Sequence, residues 1–288
     1  MPASTSPPFP NRLSRIAPAD RAGRCDRPAE GCPALSRPRR ARRTALPWAV
    51  VALLFPVATV AAPLDEMALG LRQKGLAELE NEQNSAAEST FAELASRLPG
   101  DPLPHANQAI AALRQARLEE ARTALLRALR LAPDRPDLVA IEADLRVASG
   151  DLEGGLERFR LAGARAPDRP DLQFALFRNG EALGTEAGDA AMDTALARLT
   201  RLRPDNLAVM LGAGKRSVAL ADRAGATAAA LRIRELLWDA PQGAAEALAR
   251  LTAALEAGDL PRARVPMQQL ANLLRPSPLF QQGVRELS

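Results

Sequence analysis

Ala132-Pro-Asp-Arg-Pro-Asp-Leu138 recurs letter for letter as Ala166-Pro-Asp-Arg-Pro-Asp-Leu172, 34 residues further along the chain. Prolines keep a similar spacing on both sides of this duplication, at Pro99, Pro133, Pro167, Pro204, Pro241 and Pro276. A proline cannot continue a helix, and it pushes the residue before it toward extended backbone. Each of these prolines is therefore expected to separate one structural unit from the next. A repeat of this length predicts stacked helix pairs, about six in this chain.

The composition of the chain also favours helices. Apolar residues make up 47% of the 288 residues, whereas aromatic residues make up only 3% and tyrosine is absent. A core built mainly from Ala and Leu requires helices that approach each other closely. Long runs of Leu, Ala, Arg and Glu favour helix by propensity, and no alternating Val, Ile and Thr segment predicts a strand. The predicted fold class is therefore all-α.

The third repeat unit contains a Gly-Asp step, Gly150-Asp151, between two helical segments. Glycine tolerates the left-handed conformation that ends a helix, and Asp caps the next helix by accepting backbone N–H bonds. Here the chain resembles the tetratricopeptide-repeat family, in which such a step joins two antiparallel helices. The same step occurs at Gly258-Asp259 and Gly188-Asp189. The resemblance implies a right-handed α-solenoid of about six antiparallel helix hairpins over residues 64–276, followed by a tail at 277–288.

The family's core positions can be placed on the first three units. Its small and aromatic positions correspond to Gly75, Ala87, Phe91, Ala109, Ala121, Leu125, Ala128, Ala143, Gly155, Phe159 and Ala162. The large residue that opens each first helix corresponds to Leu71, His105 and Val139. The only histidine therefore occupies a packing position, which favours a structural role. In the sixth unit, Pro266 lies inside an expected helix, where it should cause a kink or an early break.

The first part of the chain has the composition of a leader. Residues 1–44 are rich in Pro, Arg and Ser, show no apolar periodicity and are predicted to be disordered. Residues 1–62 hold ten arginines and three acids, which leaves 28 basic and 31 acidic residues in the remainder. The pI of 9.9 thus reflects the leader rather than the repeats. Without clustered cations or stacking aromatics, the repeats are not expected to bind nucleic acid.

An apolar segment within residues 45–62 follows the arginines of the leader. Leu46 to Ala62 contains no charged residue and ends in small residues, which is typical of a secretory signal cleaved near Ala61. An uncleaved membrane anchor is the alternative, although a span needs about 20 apolar residues. Both interpretations place the repeats outside the cytoplasm of a bacterium, in the periplasm or beyond. Cys25 and Cys32 both precede this segment, so an exported chain would hold no disulfide.

No catalytic constellation is apparent in the sequence. With one histidine and no cysteine after Cys32, the chain lacks partners for Ser-His-Asp, Cys-His or histidine-metal sites, and no metal or cofactor is expected. Gly212-Ala-Gly214-Lys215 superficially resembles a phosphate loop but lacks the required spacing and a preceding strand. An enzyme that uses carboxylates alone is a remote alternative. The chain is therefore predicted not to be an enzyme.

The leading functional hypothesis is an exported scaffold whose first helices line a groove for a protein or peptide partner. The alternative is an interaction arm of a longer secreted protein whose effector domain lies elsewhere. The resemblance places the groove-facing positions at Arg72, Asp137, Ala140, Asp144, Phe174, Arg178 and Glu181. Phe174 and Arg178 lie one helical turn apart, and Asp144 is the preceding unit's counterpart of Arg178. An exposed Phe174 beside charges of both signs is therefore expected to anchor a peptide.

Overall fold

The computed structural model describes residues 66–237 and 242–287, and within these ranges the only regular elements are helices. The first three hairpins are α1 (Glu66–Glu80) with α2 (Asn84–Arg97), α3 (Pro102–Arg114) with α4 (Leu118–Leu131), and α5 (Pro136–Ala148) with α6 (Leu152–Arg165). The next helices are α7 (Pro170–Leu183), α8 (Glu186–Leu202), α9 (Leu207–Ala219), α10 (Arg223–Leu236), α11 (Gln242–Glu256), α12 (Leu260–Leu274) and α13 (Pro278–Glu286). The predicted all-α solenoid is confirmed.

The prolines that mark the period lie in the turns between hairpins, as the spacing predicts. This holds for Pro99, Pro133, Pro167, Pro204 and Pro276. Pro241, the two cysteines and the apolar segment of the leader lie outside the described residues. A second set of prolines occupies the first helical turn of α3, α5 and α7, where the missing N–H would have no intrahelical partner.

Two of the three predicted Gly-Asp steps join the helices of a hairpin. Gly150 has φ +87° and Gly258 has φ +73°, which places both in the left-handed region. The carboxylate after each glycine caps the next helix: Asp151 Oδ1 accepts from Gly154 N at 2.9 Å, and Asp259 Oδ1 accepts from Arg262 N at 3.0 Å. The sequence therefore identified these two turns correctly.

The third predicted step, Gly188-Asp189, is wrong because both residues lie inside α8. The turn is made by Gly184, with φ +64°, and by Thr185, which caps α8. Gly188 serves the helix crossing instead, since a Cβ atom there would lie 2.5 Å from the carbonyl oxygen of Gly180 on α7. Sequence spacing alone could not separate a turn glycine from a crossing glycine a few residues away.

The predicted small and aromatic core positions of the first three units are all buried, as is Val139, whereas Leu71 is only partly buried. Phe91 and Phe159 have no exposed surface. Gly75 allows α1 to approach α2, because a Cβ atom at Gly75 would lie 2.8 Å from the ring of Phe91. His105 is partly buried, and its Nδ1 lies 3.2 Å from Gln108 Oε1. The register of these units thus follows the family pattern.

The last two hairpins close into a ring of four helices. Helix α11 packs against α10, and α12 packs against α9. The side chains of all four helices belong to one apolar cluster. The early break expected at Pro266 does not occur, because α12 continues through this residue to Leu274. Pro266 is buried beside Met267 and close to Leu270, and this packing offsets the backbone hydrogen bond that proline removes.

Candidate functional site

A cleft of about 350 Å³ opens between four helices near the end of the described chain. One wall comes from α7, the floor from α9, and the other walls from the end of α12 and from α13. The lining residues are Phe174, Phe177, Arg178, Glu181, Ala208, Leu211, Gly212, Lys215, Ala271, Arg275, Phe280, Gln281 and Val284. A volume of this size suits a few side chains of a bound segment rather than a whole folded surface.

The helix α13 forms a wall of the cleft because α9 holds it in place. Asn206 Nδ2 donates to the carbonyl oxygen of Gly283 at 2.9 Å, and both groups are buried. Glu286 forms an ion pair with Arg203 in the turn before α9. Leu287 has no exposed surface and belongs to the apolar cluster of α9 to α12. The segment after Pro276 is therefore an integral part of the folded unit.

Aromatic rings supply much of the apolar surface of the cleft. The centroids of Phe174 and Phe177 lie 6.1 Å apart with an interplanar angle of 26°, so the two rings are stacked. Phe280 faces them from α13 as a partly buried side chain. The expectation that Phe174 is exposed is wrong: only 6% of its surface is accessible, because the ring packs into the core that α9 helps to form. Phe174 therefore contributes to both the core and the cleft.

Three cations and one carboxylate line the same cleft. Lys215 Nζ and Glu181 Oε1 form an ion pair at 3.0 Å. The Arg178 guanidinium lies over the ring of Phe174, 6.0 Å from its centroid. Neither Arg178 nor Arg275 has a carboxylate within ion-pairing distance in the described part of the chain. The cleft therefore carries two guanidinium charges that no acid balances.

The surroundings of Arg178 are partly desolvated although the side chain still reaches solvent. Desolvation by the cleft walls lowers the pKa of the Arg178 guanidinium, and the nearby Glu181 carboxylate opposes this effect without cancelling it. Arg178 remains charged but would gain from a further anionic partner.

The remaining predicted groove residues lie elsewhere in the array. Asp137 is 13% exposed and is held by Arg135 at 3.1 Å and by Arg169 at 2.8 Å, so it serves the contact between units. Arg72 on α1 and Asp144 on α5 are partly buried, and the buried Ala140 belongs to the core of the third unit. Of the predicted groove residues, the structure brings only Phe174, Arg178 and Glu181 together in the cleft.

Sequence reasoning missed three residues that complete the cleft, namely Lys215, Arg275 and Phe280. Lys215 belongs to the Gly-rich stretch that resembles a phosphate loop, and this stretch lies within helix α9. The signal for α13 was present in the sequence, since Ser277 caps that helix and Pro278 opens it. The docking of α13 onto a helix far earlier in the chain leaves no such local signal.

A second cleft of about 550 Å³ lies on a different face of α9, between α8 and α10. Its cation Arg216 is fully engaged, because the guanidinium contacts both oxygens of Asp193 at 2.6 and 2.9 Å and Asp189 Oδ1 at 3.0 Å. The contrast with Arg178 and Arg275 is informative. In the second cleft, carboxylates of the chain neutralise the arginine. In the first cleft, the positive charges of Arg178 and Arg275 remain without such a partner among the described residues.

Two general features of the described residues bear on function. No group of three or more His, Cys, Asp and Glu side chains within residues 66–237 and 242–287 is placed to hold a metal ion. Among the helices of the same ranges, none combines the length and the apolar character that crossing a bilayer requires. His105 lies on α3 and does not line the cleft.

Comparison with known proteins supports the fold. The chain matches no protein-family model and no curated protein. Among solved structures, PilF of Pseudomonas aeruginosa is 17% identical, with a TM-score of 0.54 over 77% of this chain and 98% of that one. A chain of the Naa15/Naa10 complex bound to HypK-THB is 15% identical, with a TM-score of 0.51 over 76% of this chain and 33% of that one. The type IV pilus biogenesis factor PilW is 15% identical, with a TM-score of 0.49 over 76% of this chain and 98% of that one. The fold is that of tetratricopeptide-repeat solenoids.

Proposed function

We propose that this tetratricopeptide-repeat solenoid is a non-catalytic scaffold that binds a protein or peptide partner in the cleft between α7, α9 and α13. The observation that carries the proposal is the preformed cleft itself, in which aromatic rings and charged side chains line one cavity. Apolar surface with a few oriented polar groups is the usual construction of a peptide-binding site. A similarly folded chain occurs in the Naa15/Naa10 complex with HypK-THB, which supports a role in protein assembly.

The side chains of the cleft support the proposal that the scaffold is non-catalytic. Its titratable groups are three cations and one carboxylate, and that carboxylate is held by Lys215. Acid–base and nucleophilic mechanisms place an activated group, often one of a pair, beside the reacting atoms, whereas Glu181 and Lys215 of this cleft are engaged with each other. The only histidine of the chain lies on α3, where Gln108 contacts it.

The scaffold is further proposed to act in the bacterial envelope, on the periplasmic side of the inner membrane. The support comes from the sequence, where five arginines between Arg37 and Arg43 precede the uncharged stretch from Leu46 to Ala62. Arginines stay on the cytoplasmic side of such a segment, so the repeats would be exported whether or not the segment is cleaved. An interaction arm of a longer secreted protein is the second candidate.

Site-specific photocrosslinking tests the binding proposal. A photoreactive benzoyl-phenylalanine placed at Gln281, in the α13 wall of the cleft, is expected to yield a discrete protein adduct in cells of the source bacterium. The matched control is Gln268, which is exposed on α12 and does not line the cleft. Equal adduct patterns at both positions, or no adduct at Gln281, would contradict partner binding in the cleft.

A reporter fusion tests export independently. A periplasm-active reporter joined after Ser288 should be active in whole cells, and replacing the arginines between Arg37 and Arg43 by glutamates should abolish that activity. A reporter that works only in the cytoplasm would end the export proposal. N-terminal sequencing of the mature product then separates cleavage near Ala61 from retention as an anchor.

A further inference from the structure

We infer that the partner segment is acidic as well as apolar: it places one or more Asp or Glu carboxylates beside Arg178 and Arg275 while an aromatic or aliphatic side chain packs on the phenylalanine rings of α7 and α13. The inference rests on the proposed function and names the chemistry of the ligand that the same cleft would take. It is carried by the juxtaposition of unbalanced guanidinium groups and aromatic rings in one small cavity.

The positive charge of the cleft comes from two of its three cations. Lys215 and Glu181 neutralise each other at 3.0 Å, so the surplus is carried by Arg178 and Arg275 alone. In the neighbouring cleft, by contrast, two aspartates hold Arg216. Since no carboxylate of the described residues lies within ion-pairing distance of Arg178 or Arg275, the two guanidiniums at the cleft are available to an external acid.

The chemistry of a guanidinium selects a carboxylate among possible partners. A planar guanidinium can donate two parallel N–H bonds to one carboxylate, and such charge-assisted bonds are stronger than neutral ones. The Arg178 guanidinium already lies beside the Phe174 ring, 6.0 Å from its centroid, so an incoming carboxylate meets a cation that is positioned against an apolar surface. Preorganisation over the Phe174 ring further reduces the entropy lost on binding.

The apolar half of the ligand follows from the aromatic rings that line the cleft. Phe177 and Phe280 are partly buried, which leaves aromatic surface facing the cavity from both α7 and α13. Leu211 and Ala271 extend the same surface. About 350 Å³ accommodates one or two apolar side chains together with a neighbouring carboxylate. A purely acidic ligand would leave this surface in water, and a purely apolar one would leave the guanidiniums without partners.

A nucleic acid would also combine negative charge with rings, but the rest of the molecule disfavours it. The sequence after residue 62 holds more acids than bases, 31 against 28, so the repeats offer no net attraction to a phosphate backbone. Binding to phosphates needs many clustered cations, not two. The acidic peptide is therefore the occupant that the charges favour.

A peptide array tests the inference with the full-length chain as the probe. Short peptides on the array vary independently in their content of Asp or Glu and of Phe or Leu, and a single-stranded oligothymidylate is measured in parallel. Peptides rich in both classes should bind best. Arg275→Glu should weaken that binding about tenfold or more, since a repulsive charge replaces a charge-assisted bond. Arg264→Glu is the matched control, because Arg264 is exposed on α12 outside the cleft.

Arg275→Gln serves as a second variant that removes the charge without reversing it, and thermal melts of all three variants establish that they fold. The inference is overturned if the bound peptides show no preference for Asp or Glu, or if no peptide on the array binds. It is also overturned if Arg275→Glu binds as well as the unchanged protein, or if the oligothymidylate binds more tightly than the peptides. Crosslinking from Gln281 in cells would still decide the proposed function separately, since it does not depend on the charge of the partner.

Discussion

The side chain of Asn206 binds two helices at once. Its Oδ1 accepts from the backbone N–H groups of Ala208 and Val209, at 3.0 and 3.2 Å, and so caps α9. Its Nδ2 donates to the carbonyl oxygen of Gly283 on α13 at 2.9 Å. One buried amide thus couples the start of α9, the floor of the cleft, to α13, one of its walls.

Gly283→Ala should loosen α13 and open the cleft. The new Cβ atom would lie 2.8 Å from Asn206 Oδ1, which is already engaged in the α9 cap. Overpacking of this kind costs about 1 to 3 kcal/mol in unfolding free energy. Urea denaturation measures the loss, and hydrogen exchange should localise it to the amides of α13.

The matched control is Gly70→Ala on α1, where a new Cβ atom would have no neighbour within 4 Å. That variant should gain about 0.5 to 1 kcal/mol, because alanine is the better helix former. Equal effects of the two substitutions would show that α13 is not held through Gly283.

Substitutions at equivalent positions of two hairpin turns should change the free energy of unfolding in opposite directions. Gly150 has φ +87°, and a Cβ atom added there would have no neighbour within 4 Å, whereas Ala116 and Ala221 adopt φ +56° and +57° at the corresponding turns. A left-handed non-glycine residue costs about 1 to 2 kcal/mol. Gly150→Ala should therefore destabilise the chain, and Ala116→Gly should stabilise it by a smaller amount, since glycine also gains freedom in the unfolded chain. Chemical denaturation of both variants checks the signs, and equal signs would contradict the turn assignment.

Phe159→Ala should cost about 3 to 5 kcal/mol of unfolding free energy, because it leaves a cavity in a fully buried site where α5 and α6 cross. Leu152→Ala on the same helix is the control, since Leu152 is 43% exposed and should change stability little. Thermal melts that show no loss for Phe159→Ala would mean that the core of the third unit is assigned wrongly.

Local chemistry explains which features the sequence could predict. The duplicated block, the Gly150-Asp151 turn and the buried Phe159 all follow from residues within one hairpin. The left-handed Ala116 and Ala221 carry no such signal, because the surrounding helices impose their conformation. The helix through Pro266 and the burial of Phe174 likewise depend on packing between distant segments. The cleft was only partly predictable, since α13 reaches α9 across a separation of 77 residues between Asn206 and Gly283.

The double variant Arg178→Ala/Arg275→Ala tests most directly whether the partner binds in the cleft through its two guanidinium groups. With benzoyl-phenylalanine at Gln281, the yield of the partner adduct and the melting temperature are measured for this variant. The control is Arg262→Ala/Arg264→Ala, which removes two exposed arginines of α12 outside the cleft. The account predicts that the cleft variant loses the adduct while its melting temperature stays close to that of the control. An undiminished adduct in the correctly folded cleft variant would contradict it.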